Sequence, residues 1–367
     1  MKKVEIDNII GNFKNENIKM EGISELGEGA WHKVYKVERK NEDDLVLRVR
    51  KKIAYGEIQA FKDIDLITEY ESAKAYYLQA NQCMDSISPS FYEYYLDDSL
   101  VFNIESYMGG EKTFKSLELS EAFEVGEKIG NFLKIMHGKN PDLNGYGNLE
   151  WNGEHLEGEL QQEVSQIWQM DNDFYIRILN KLKDTNLSYN RDKVGNMILK
   201  LIEDRRKCPQ KISLVNQDVT PENIIFNIDN LSIIDPYPRL DFDMKYAGFF
   251  VFCYNFLLPA YSNTDRYKKH SYNQYLNILT RIAEGFIEGY VEGNDYFYKN
   301  LLDEYILWIL LEAYEHYEVL NEDVLNSKVR QQMGDEEMIK NRLALCLKEL
   351  ENAASDNAFP YLNYKME

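Results

Sequence analysis

Apolar and polar residues alternate along the first part of the chain, which is the pattern of half-buried β-strands. Strands are predicted on both sides of a glycine turn in residues 25–37, along residues 45–52, and in a hairpin over residues 91–105. One helical pattern, from Phe61 to Ala80, lies between the last two. The pattern therefore predicts a small sheet with one accompanying helix.

The last third of the chain has the helical period instead. Apolar residues recur at helical spacing in Tyr246–Leu258, Tyr272–Val291, Tyr296–Leu320 and Met338–Ala354. Strands early in the chain and helices late in it are typical of an α+β fold.

Composition narrows the class of protein. The 367 residues are enough for a two-lobed enzyme with a sizeable core. Four cysteines are scattered without Cys-x-x-Cys spacing, so neither a disulfide framework nor a zinc site is indicated. The longest apolar run, Tyr246–Tyr261, is shorter than the roughly twenty residues of a membrane span, and the start of the chain lacks the apolar segment of a signal peptide. We therefore expect a cytoplasmic protein.

The chain is strongly acidic. It has 42 Lys and Arg against 62 Asp and Glu, which gives a formal net charge of −20. Nucleic acids and anionic membranes bind basic surfaces, so neither is expected as a partner. The charge would favour a cationic small molecule, although acidic surfaces also serve solubility alone.

The segment from Leu214 to Pro236 carries the candidate chemistry. Asp218 and Asn223 are five positions apart, and Asp235 follows twelve residues later at the end of an apolar run. This is the spacing of a phosphoryl-transfer loop, in which one Asp accepts a hydroxyl proton while Asn and a second Asp bind Mg²⁺. A surface hairpin with good turn residues is the alternative. A carboxylate that ends so apolar a strand favours the catalytic interpretation, because it is costly unless it is paired or metal-bound.

Candidate phosphate-binding residues precede this segment in the chain. Backbone amides of the turn around Gly27 and Gly29 can approach phosphates closely, although most such turns are ordinary hairpins. Arg48, in the strand that follows, is predicted to contact the phosphates, and Arg50 on the same strand face is the alternative. Glu69, in the predicted helix, is expected to orient Arg48 through an ion pair. Glu71 is the alternative partner.

A possible hinge follows the hairpin. The strand that ends at Glu105 leads into Tyr107 and then Gly109 and Gly110. Paired glycines after an apolar strand fit a hinge between two lobes, and they fit an ordinary loop equally well.

Taken in order, these segments resemble the aminoglycoside phosphotransferase and choline kinase-like family. The resemblance extends from about Gly22 to about Tyr314 and includes the glycine turn, the Val-Leu-Arg of the third strand, the hinge, the stretch from Ile129 to Gly147, and the Asp-Asn-Asp set. It implies a bilobal protein-kinase-like fold. A small antiparallel-sheet nucleotide-binding lobe would cover residues 1–107, and a larger, mainly helical lobe with the catalytic and acceptor sites would cover residues 108–367.

The resemblance also implies an activity and the residues that perform it. It predicts transfer of the γ-phosphoryl group of ATP or GTP, with Mg²⁺, to a hydroxyl of a small molecule. Asp218 would be catalytic, and Asn223 and Asp235 would bind the metal. The residues expected at the nucleotide are Gly27, Gly29, Arg48, Glu69, Glu105 and Tyr107.

The acceptor side is less well defined by the sequence. Glu312 and Glu315 are adjacent on one face of a predicted helix, in the region where the family binds its acceptor. They are candidate anchors for a substrate ammonium group, and a solvated helix face is the alternative. An aminoglycoside or related antibiotic is the first acceptor class, and an amino alcohol or sugar is the second.

Two further points complete the sequence-based hypothesis. Asn216 replaces the His that the family has two residues before the catalytic Asp, and Asn can also support the loop by hydrogen bonding. A catalytically silent nucleotide-binding scaffold is the alternative to an enzyme, although all three chemical positions are intact. The protein is expected to be a monomer or a homodimer.

Overall fold

The computed structural model describes residues 20–355, apart from residues 30, 55–56, 59–60, 98–99, 111–112, 210, 227–230 and 323. Its strands, in chain order, are β1 (Met20–Glu28), β2 (His32–Arg39), β3 (Leu45–Arg50), β4 (Ile53–Ala54), β5 (Glu57–Ile58), β6 (Tyr92–Leu96), β7 (Val101–Ser106), β8 (Tyr146–Trp151), β9 (Leu156–Leu160), β10 (Ile212–Asn216), β11 (Ile224–Phe226), β12 (Leu231–Ile233) and β13 (Pro238–Phe242). The α-helices are α1 (Asp63–Cys83), α2 (Leu119–Gly138), α3 (Val164–Lys183), α4 (Arg191–Arg205), α5 (Asp243–Phe252), α6 (Leu276–Val291), α7 (Asp295–Leu320), α8 (Ser327–Met333) and α9 (Glu336–Ala353), with one further turn at Leu258–Ala260.

The N-terminal region folds as an antiparallel sheet with the strand order β1-β2-β3-β7-β6. Strand β3 lies at its centre and carries Arg48 opposite Asn103 of β7 and Val34 of β2. Alternating apolar side chains from these strands form a small core of their own, which includes Val37 and Leu47. The strand and hairpin predictions are thus confirmed.

The candidate chemistry lies on a second group of strands. The sheet β10-β13-β8-β9 and the two-stranded ribbon β11-β12 are both antiparallel. Asn216, the last residue of β10, pairs with Pro238, the first residue of β13. The loop that carries Asp218 therefore leaves β10 beside the point where the segment after Asp235 enters β13.

The C-terminal region is a helical assembly, and its closest helix pair is α2 with α6. Gly126 and Gly130 of α2 face Gly285 and Gly289 of α6. A Cβ at Gly126 would lie 2.0 Å from the Ile282 carbonyl oxygen, so only glycine permits this approach. Small residues at such a crossing let two helix backbones pack in direct contact. The pair forms part of the large apolar core of this region.

The fold expected from the sequence is confirmed as an α+β fold with an antiparallel-sheet N-terminal region and a mainly helical C-terminal region. The predicted C-terminal helices lie within a few residues of their expected bounds. One difference is a π-helical turn, Cys253–Leu257, which interrupts the first of them. The division into lobes at residue 107 stays a prediction. Among the described residues, no helix is long and apolar enough to cross a membrane.

Candidate active site

The Asp218, Asn223 and Asp235 segments meet at one place in the fold. Asn223 ends a short 3₁₀ turn before β11, and its carbonyl oxygen accepts a hydrogen bond from the Ile234 amide at 2.9 Å. The Asn223 side-chain amide lies 3.5 Å from the Asp235 carbonyl oxygen. The β11-β12 hairpin returns the chain on itself, and this is why residues twelve positions apart become neighbours.

The Asp218 carboxylate is held by its own loop. Its Oδ1 accepts hydrogen bonds from the Thr220 hydroxyl at 3.0 Å and from the Thr220 amide at 3.4 Å. Burial raises the pKa of Asp218, and the negative charge of Asp235 raises it further, while Thr220 and the cation of Arg266 oppose the shift. A carboxylate with a raised pKa is a better proton acceptor than an ordinary Asp.

Asp235 presents its carboxylate from a strained backbone position. Its φ is +50°, in the left-handed region that few residues other than glycine adopt, and its side chain is 52% exposed. Asp tolerates this conformation better than most residues. Such outliers persist only where the surrounding structure holds them, and here Asp235 donates its backbone N–H to the Tyr77 hydroxyl at 2.9 Å.

The residues around Asp235 fit a Mg²⁺ ion that is shared with substrate phosphates better than a metal site made of protein ligands alone. In the part of the chain that the structure describes, no group of three or more His, Cys, Asp and Glu side chains is placed to hold a metal ion. Asn223 and Asp235 offer two side chains with oxygen donors. Mg²⁺ is commonly bound by one or two carboxylates together with water and substrate phosphates.

Asn216 connects the loop that carries Asp218 to the segment after Asp235. Its Oδ1 accepts hydrogen bonds from the backbone amides of Asp218 at 3.0 Å and Tyr237 at 2.9 Å. Its Nδ2 donates to the Asp218 carbonyl oxygen at 3.1 Å. The side chain is buried and saturated, so the Asn makes the supporting contacts that were expected of this position.

Arg48 is buried at the centre of a charged network. Its Nε donates to the Glu105 carboxylate at 2.7 Å, and its Nη1 lies 3.5 Å from the Asp235 carboxylate. Tyr77 completes the network, because its hydroxyl donates to Glu105 at 3.3 Å while it accepts from the Asp235 amide. Arg48 is therefore directed at the position of Asp235, and Glu105 fixes it there.

The predicted ion pair between Glu69 and Arg48 is wrong. Both carboxylate oxygens of Glu69 contact Arg50 Nη1 instead, at 2.7 and 2.9 Å. Arg50 ends β3 and its guanidinium packs 4.1 Å from the centre of the Phe61 ring, just before α1. Glu69 on α1 can thus reach the end of the strand, while Arg48 lies deeper and is already paired with Glu105. The alternative partner, Glu71, accepts a hydrogen bond from the Tyr94 hydroxyl.

The glycine turn joins β1 to β2 as expected. A Cβ at Gly27 would meet nothing within 4 Å, and one at Gly29 would lie 3.9 Å from the His32 carbonyl oxygen. The space beside this turn is therefore open to a ligand.

His32, the first residue of β2, was not singled out by the sequence. It pairs with Arg50 of β3, and its Nε2 is buried with no hydrogen-bond partner among the described residues. Burial lowers the pKa of His32 to about 3 despite the nearby Asp235 carboxylate, so the ring is neutral. The only sign of this residue in the sequence was the presence of a His directly after the glycine turn.

Some of these groups line a cleft of about 880 Å³, a volume within the range of small-molecule sites. Its lining includes Asp218, Asp235, His32, Arg50 and Glu69. A smaller cavity of about 40 Å³ behind it is lined by Glu105, Tyr77, His32 and Asp235. Of the sequence-predicted residues, Asp218, Asp235 and Glu69 thus line the cleft and Glu105 lines the smaller cavity, whereas neither lining includes Asn223, Arg48, Gly27, Gly29 or Tyr107.

Tyr107 follows β7, and its amide donates to the Asp44 carbonyl oxygen at 3.0 Å. The Lys36 ammonium lies 4.7 Å from the centre of its ring. Gly109 and Gly110 both have positive φ, at 90° and 142°, a conformation that favours glycine, and the hinge itself stays a prediction.

The structure does not bring Glu312 and Glu315 to the cleft. Glu312 is buried, and the Tyr261 hydroxyl donates to its carboxylate. His316 Nδ1 donates to the Glu312 carbonyl oxygen at 2.7 Å, and His316 Nε2 accepts from Arg342 at 3.0 Å. Glu312 thus belongs to a closed network between α7 and α9, and Glu315 is exposed to solvent.

Comparison with known proteins gives a likeness in fold. No family model matches the chain, and no curated protein matches it by sequence. Among solved structures, aminoglycoside phosphotransferase APH(4)-Ia is similar with a TM-score of 0.54 and 12% identity, covering 93% of this chain and 98% of that one. A thermostable mutant of that enzyme, in ternary complex with AMP-PNP and hygromycin B, has a TM-score of 0.52 and 13% identity over 95% and 98%.

A third similar structure is macrolide 2′-phosphotransferase MphH from Brachybacterium faecium, with a TM-score of 0.50 and 9% identity over 98% of this chain and 99% of that one. Each match covers nearly the whole of both chains. The resemblance inferred from the sequence is therefore confirmed at the level of the fold.

Proposed function

We propose that this protein is a phosphotransferase that moves the γ-phosphoryl group of ATP or GTP, with Mg²⁺, to a hydroxyl group of a small molecule. The observation that carries the proposal is that Asp218 and Asp235 line one cleft, while Asn223 and Arg48 both lie next to Asp235. The similar solved structures bear the names of small-molecule phosphotransferases, which agrees with this chemistry.

Each side chain has a distinct task in this proposal. Asn223 and Asp235 would hold Mg²⁺, which neutralises charge on the phosphates as the bond to the leaving oxygen breaks. Arg48, held by Glu105, would contact the phosphates from the other side of Asp235. Such positioned cations stabilise the charge that builds on the transferred group.

Asp218 would act on the acceptor. Its carboxylate lines the cleft and its pKa is raised, so it can orient the acceptor hydroxyl and take its proton. Gly27, Gly29 and His32 would meet the phosphate end of the nucleotide, and Glu105 and Tyr107 would lie toward the proposed hinge. Glu69 would hold the Arg50 guanidinium in place, and so would affect the site only through that residue.

The acceptor class is a separate question. An aminoglycoside or related antibiotic is the first candidate, because the similar structures include enzymes named for aminoglycosides and a macrolide. An amino alcohol or sugar is the second. The argument that Glu312 and Glu315 anchor a cationic acceptor loses its support, since Glu312 is buried in a closed network.

Calorimetric binding and hydrolysis of nucleotides test the proposal. We expect ATP or GTP to bind with micromolar to millimolar affinity only when Mg²⁺ is present, and to be hydrolysed slowly without an acceptor. Nucleotide binding without any hydrolysis or transfer, across a panel of hydroxylated antibiotics and metabolites, would support the silent scaffold instead. The absence of Mg²⁺-dependent binding would contradict both.

A further inference from the structure

Two cations lie on the Asp218 side of the cleft. Arg266 and Lys328 are exposed, and both line the same cavity as Asp218. Neither forms an ion pair within 4.0 Å of a carboxylate in the part of the chain that the structure describes. In a chain with a net charge of −20, two cations that line the cleft without a carboxylate partner within ion-pair distance need an explanation.

Their positions are fixed by separate contacts. The Arg266 amide donates to the Gln331 carbonyl oxygen at 3.2 Å, which ties its loop to α8. The Arg266 guanidinium lies 4.9 Å from the centre of the Tyr267 ring. Lys328 and Gln332 are four residues apart on α8, so both face the cleft from consecutive turns. Arg266 is also close enough to Asp218 to counteract part of the burial effect on the pKa of that carboxyl.

Neighbouring cations behave differently. Lys268, two residues from Arg266, is paired with Asp265 at 2.6 Å and does not line the cleft. Arg50, which does line the cleft, is paired with Glu69. The charges of Arg266 and Lys328 are thus available to a ligand, whereas those of Arg50 and Lys268 are already compensated.

We propose that the acceptor carries an anionic group, a carboxylate or a phosphate, and that Arg266 and Lys328 bind this group while a hydroxyl of the same molecule faces Asp218. The inference rests on the proposed phosphotransferase function and narrows its acceptor class. A carboxylate or phosphate takes charge-assisted hydrogen bonds from Arg and Lys, and Gln332 adds a neutral donor beside them.

Other acidic residues of the lining set a limit to this assignment. Asp65, Glu150 and Glu159 also line the cleft, from the start of α1, from β8 and from β9. They would repel an anion placed near them, so the anionic group belongs at the Arg266 side. An ammonium group elsewhere on the acceptor would face Asp65 and Glu150. A polyamine without an acid group would instead meet Arg266 and Lys328, two cations that line the cleft without an ion-pair partner within 4.0 Å among the described residues.

Four probes of one carbon skeleton test the proposal on the full-length protein saturated with a non-hydrolysable Mg·ATP analogue. Gluconate carries a carboxylate, glucose 6-phosphate a phosphate, glucitol no charge and glucosamine an ammonium group. Dissociation constants are measured by ligand-observed NMR at constant ionic strength. We expect one or both anions to bind about 3- to 10-fold more tightly than glucitol, as two partly exposed ion pairs would give. Which anion binds more tightly identifies the group.

The double variant Arg266→Gln/Lys328→Gln should abolish that preference, while Lys269→Gln, an exposed cation outside the cleft lining, should leave it unchanged. Binding of the nucleotide analogue, followed in the same samples, tests the underlying function separately. The acceptor proposal is overturned if glucosamine binds more tightly than both anions, if no probe is preferred, or if the double variant keeps the anion preference.

Discussion

Asn216 and Asp218 are joined by two hydrogen bonds, one from the Asp218 amide to Asn216 Oδ1 at 3.0 Å and one from Asn216 Nδ2 to the Asp218 carbonyl oxygen at 3.1 Å. The same Oδ1 accepts from the Tyr237 amide at 2.9 Å. One buried amide therefore sets the distance between the loop that carries Asp218, the proposed proton acceptor, and the segment that follows Asp235, the proposed metal ligand.

Replacing Asn216 by Leu should lower the free energy of unfolding by about 1 to 3 kcal/mol, because it leaves the Asp218 and Tyr237 amides and the Asp218 carbonyl without their partner. Asn216→His should cost less, since an imidazole can both donate and accept. Denaturant titration of the two variants checks this. A Leu variant as stable and as active as the natural chain would show that position 216 does not support the loop.

The sequence predicted the elements whose pattern is local. The alternating strands, the long C-terminal helices and the spacing of Asp218, Asn223 and Asp235 are set by nearby residues, and the fold they predict was confirmed. The local pattern could not predict which residues form ion pairs with each other across the sheet. Arg48 and Arg50 lie on the same strand face, and only the depth of Glu105 and the position of α1 decide which acid each one meets.

The sequence also could not predict which polar side chains are buried. The Glu312 and Glu315 pair has the spacing of an exposed acidic face, yet one member is buried against Tyr261 and Arg342 while the other is in solvent. Likewise, nothing local distinguishes Arg266 or Lys328 from the other surface cations. Their meeting with Asp218 depends on how a loop and α8, distant in sequence, pack together.

The ion pair between Arg48 and Glu105 gives a second prediction. Both side chains are buried, so Arg48→Met should leave an uncompensated carboxylate and destabilise the fold by about 3 to 5 kcal/mol. The double variant Arg48→Met/Glu105→Gln should recover most of this loss, and the recovery is read from a double-mutant cycle in denaturant. Neither the single nor the double variant should transfer phosphate efficiently.

The ion pair between Arg50 and Glu69 is the matched control for the Arg48–Glu105 double-mutant cycle. Glu69 is 41% exposed, and Met in place of Arg50 would keep part of the packing on Phe61. Arg50→Met should therefore cost about 1 kcal/mol or less. Equal losses for the Arg48 and Arg50 variants would contradict the different burial of the two pairs.

A third prediction separates the two aspartates. Asp218→Asn should lower kcat by about 10²- to 10⁴-fold while Mg·nucleotide binding is retained, because the amide cannot take a proton. Asp235→Asn should weaken Mg·nucleotide binding as well, since it removes a charged metal ligand. Calorimetry with the nucleotide and single-turnover kinetics distinguish these effects. Equal nucleotide affinity in both variants would show that Asp235 is not the metal ligand.

The raised pKa of Asp218 gives a fourth prediction, with a defined sign. The fold disfavours the ionised form of this carboxyl, so at neutral pH its charge costs stability, and the cost disappears as pH falls through the raised pKa. Asp218→Asn should therefore melt at a higher temperature than the natural chain at pH 7, and the difference should shrink in acid. The acid limb of kcat/KM should likewise lie above the ordinary Asp value of about 3.9. If Asp218→Asn melts at a lower temperature than the natural chain at pH 7, the prediction that the ionised Asp218 carboxyl costs stability is wrong.

His32 gives the last prediction, because its buried Nε2 has no partner among the described residues and it lies in the cleft beside Asp235. A buried polar atom without a hydrogen bond costs about 1 to 3 kcal/mol, which a bound phosphate oxygen would recover. His32→Leu should therefore leave the nucleotide-free protein at least as stable while weakening Mg·ATP binding about 5- to 50-fold. His155→Leu, at an exposed His outside the cleft lining, should change neither quantity. Thermal melts with and without the nucleotide measure both at once, and a His32→Leu variant that loses stability but binds Mg·ATP normally would make His32 a packing residue.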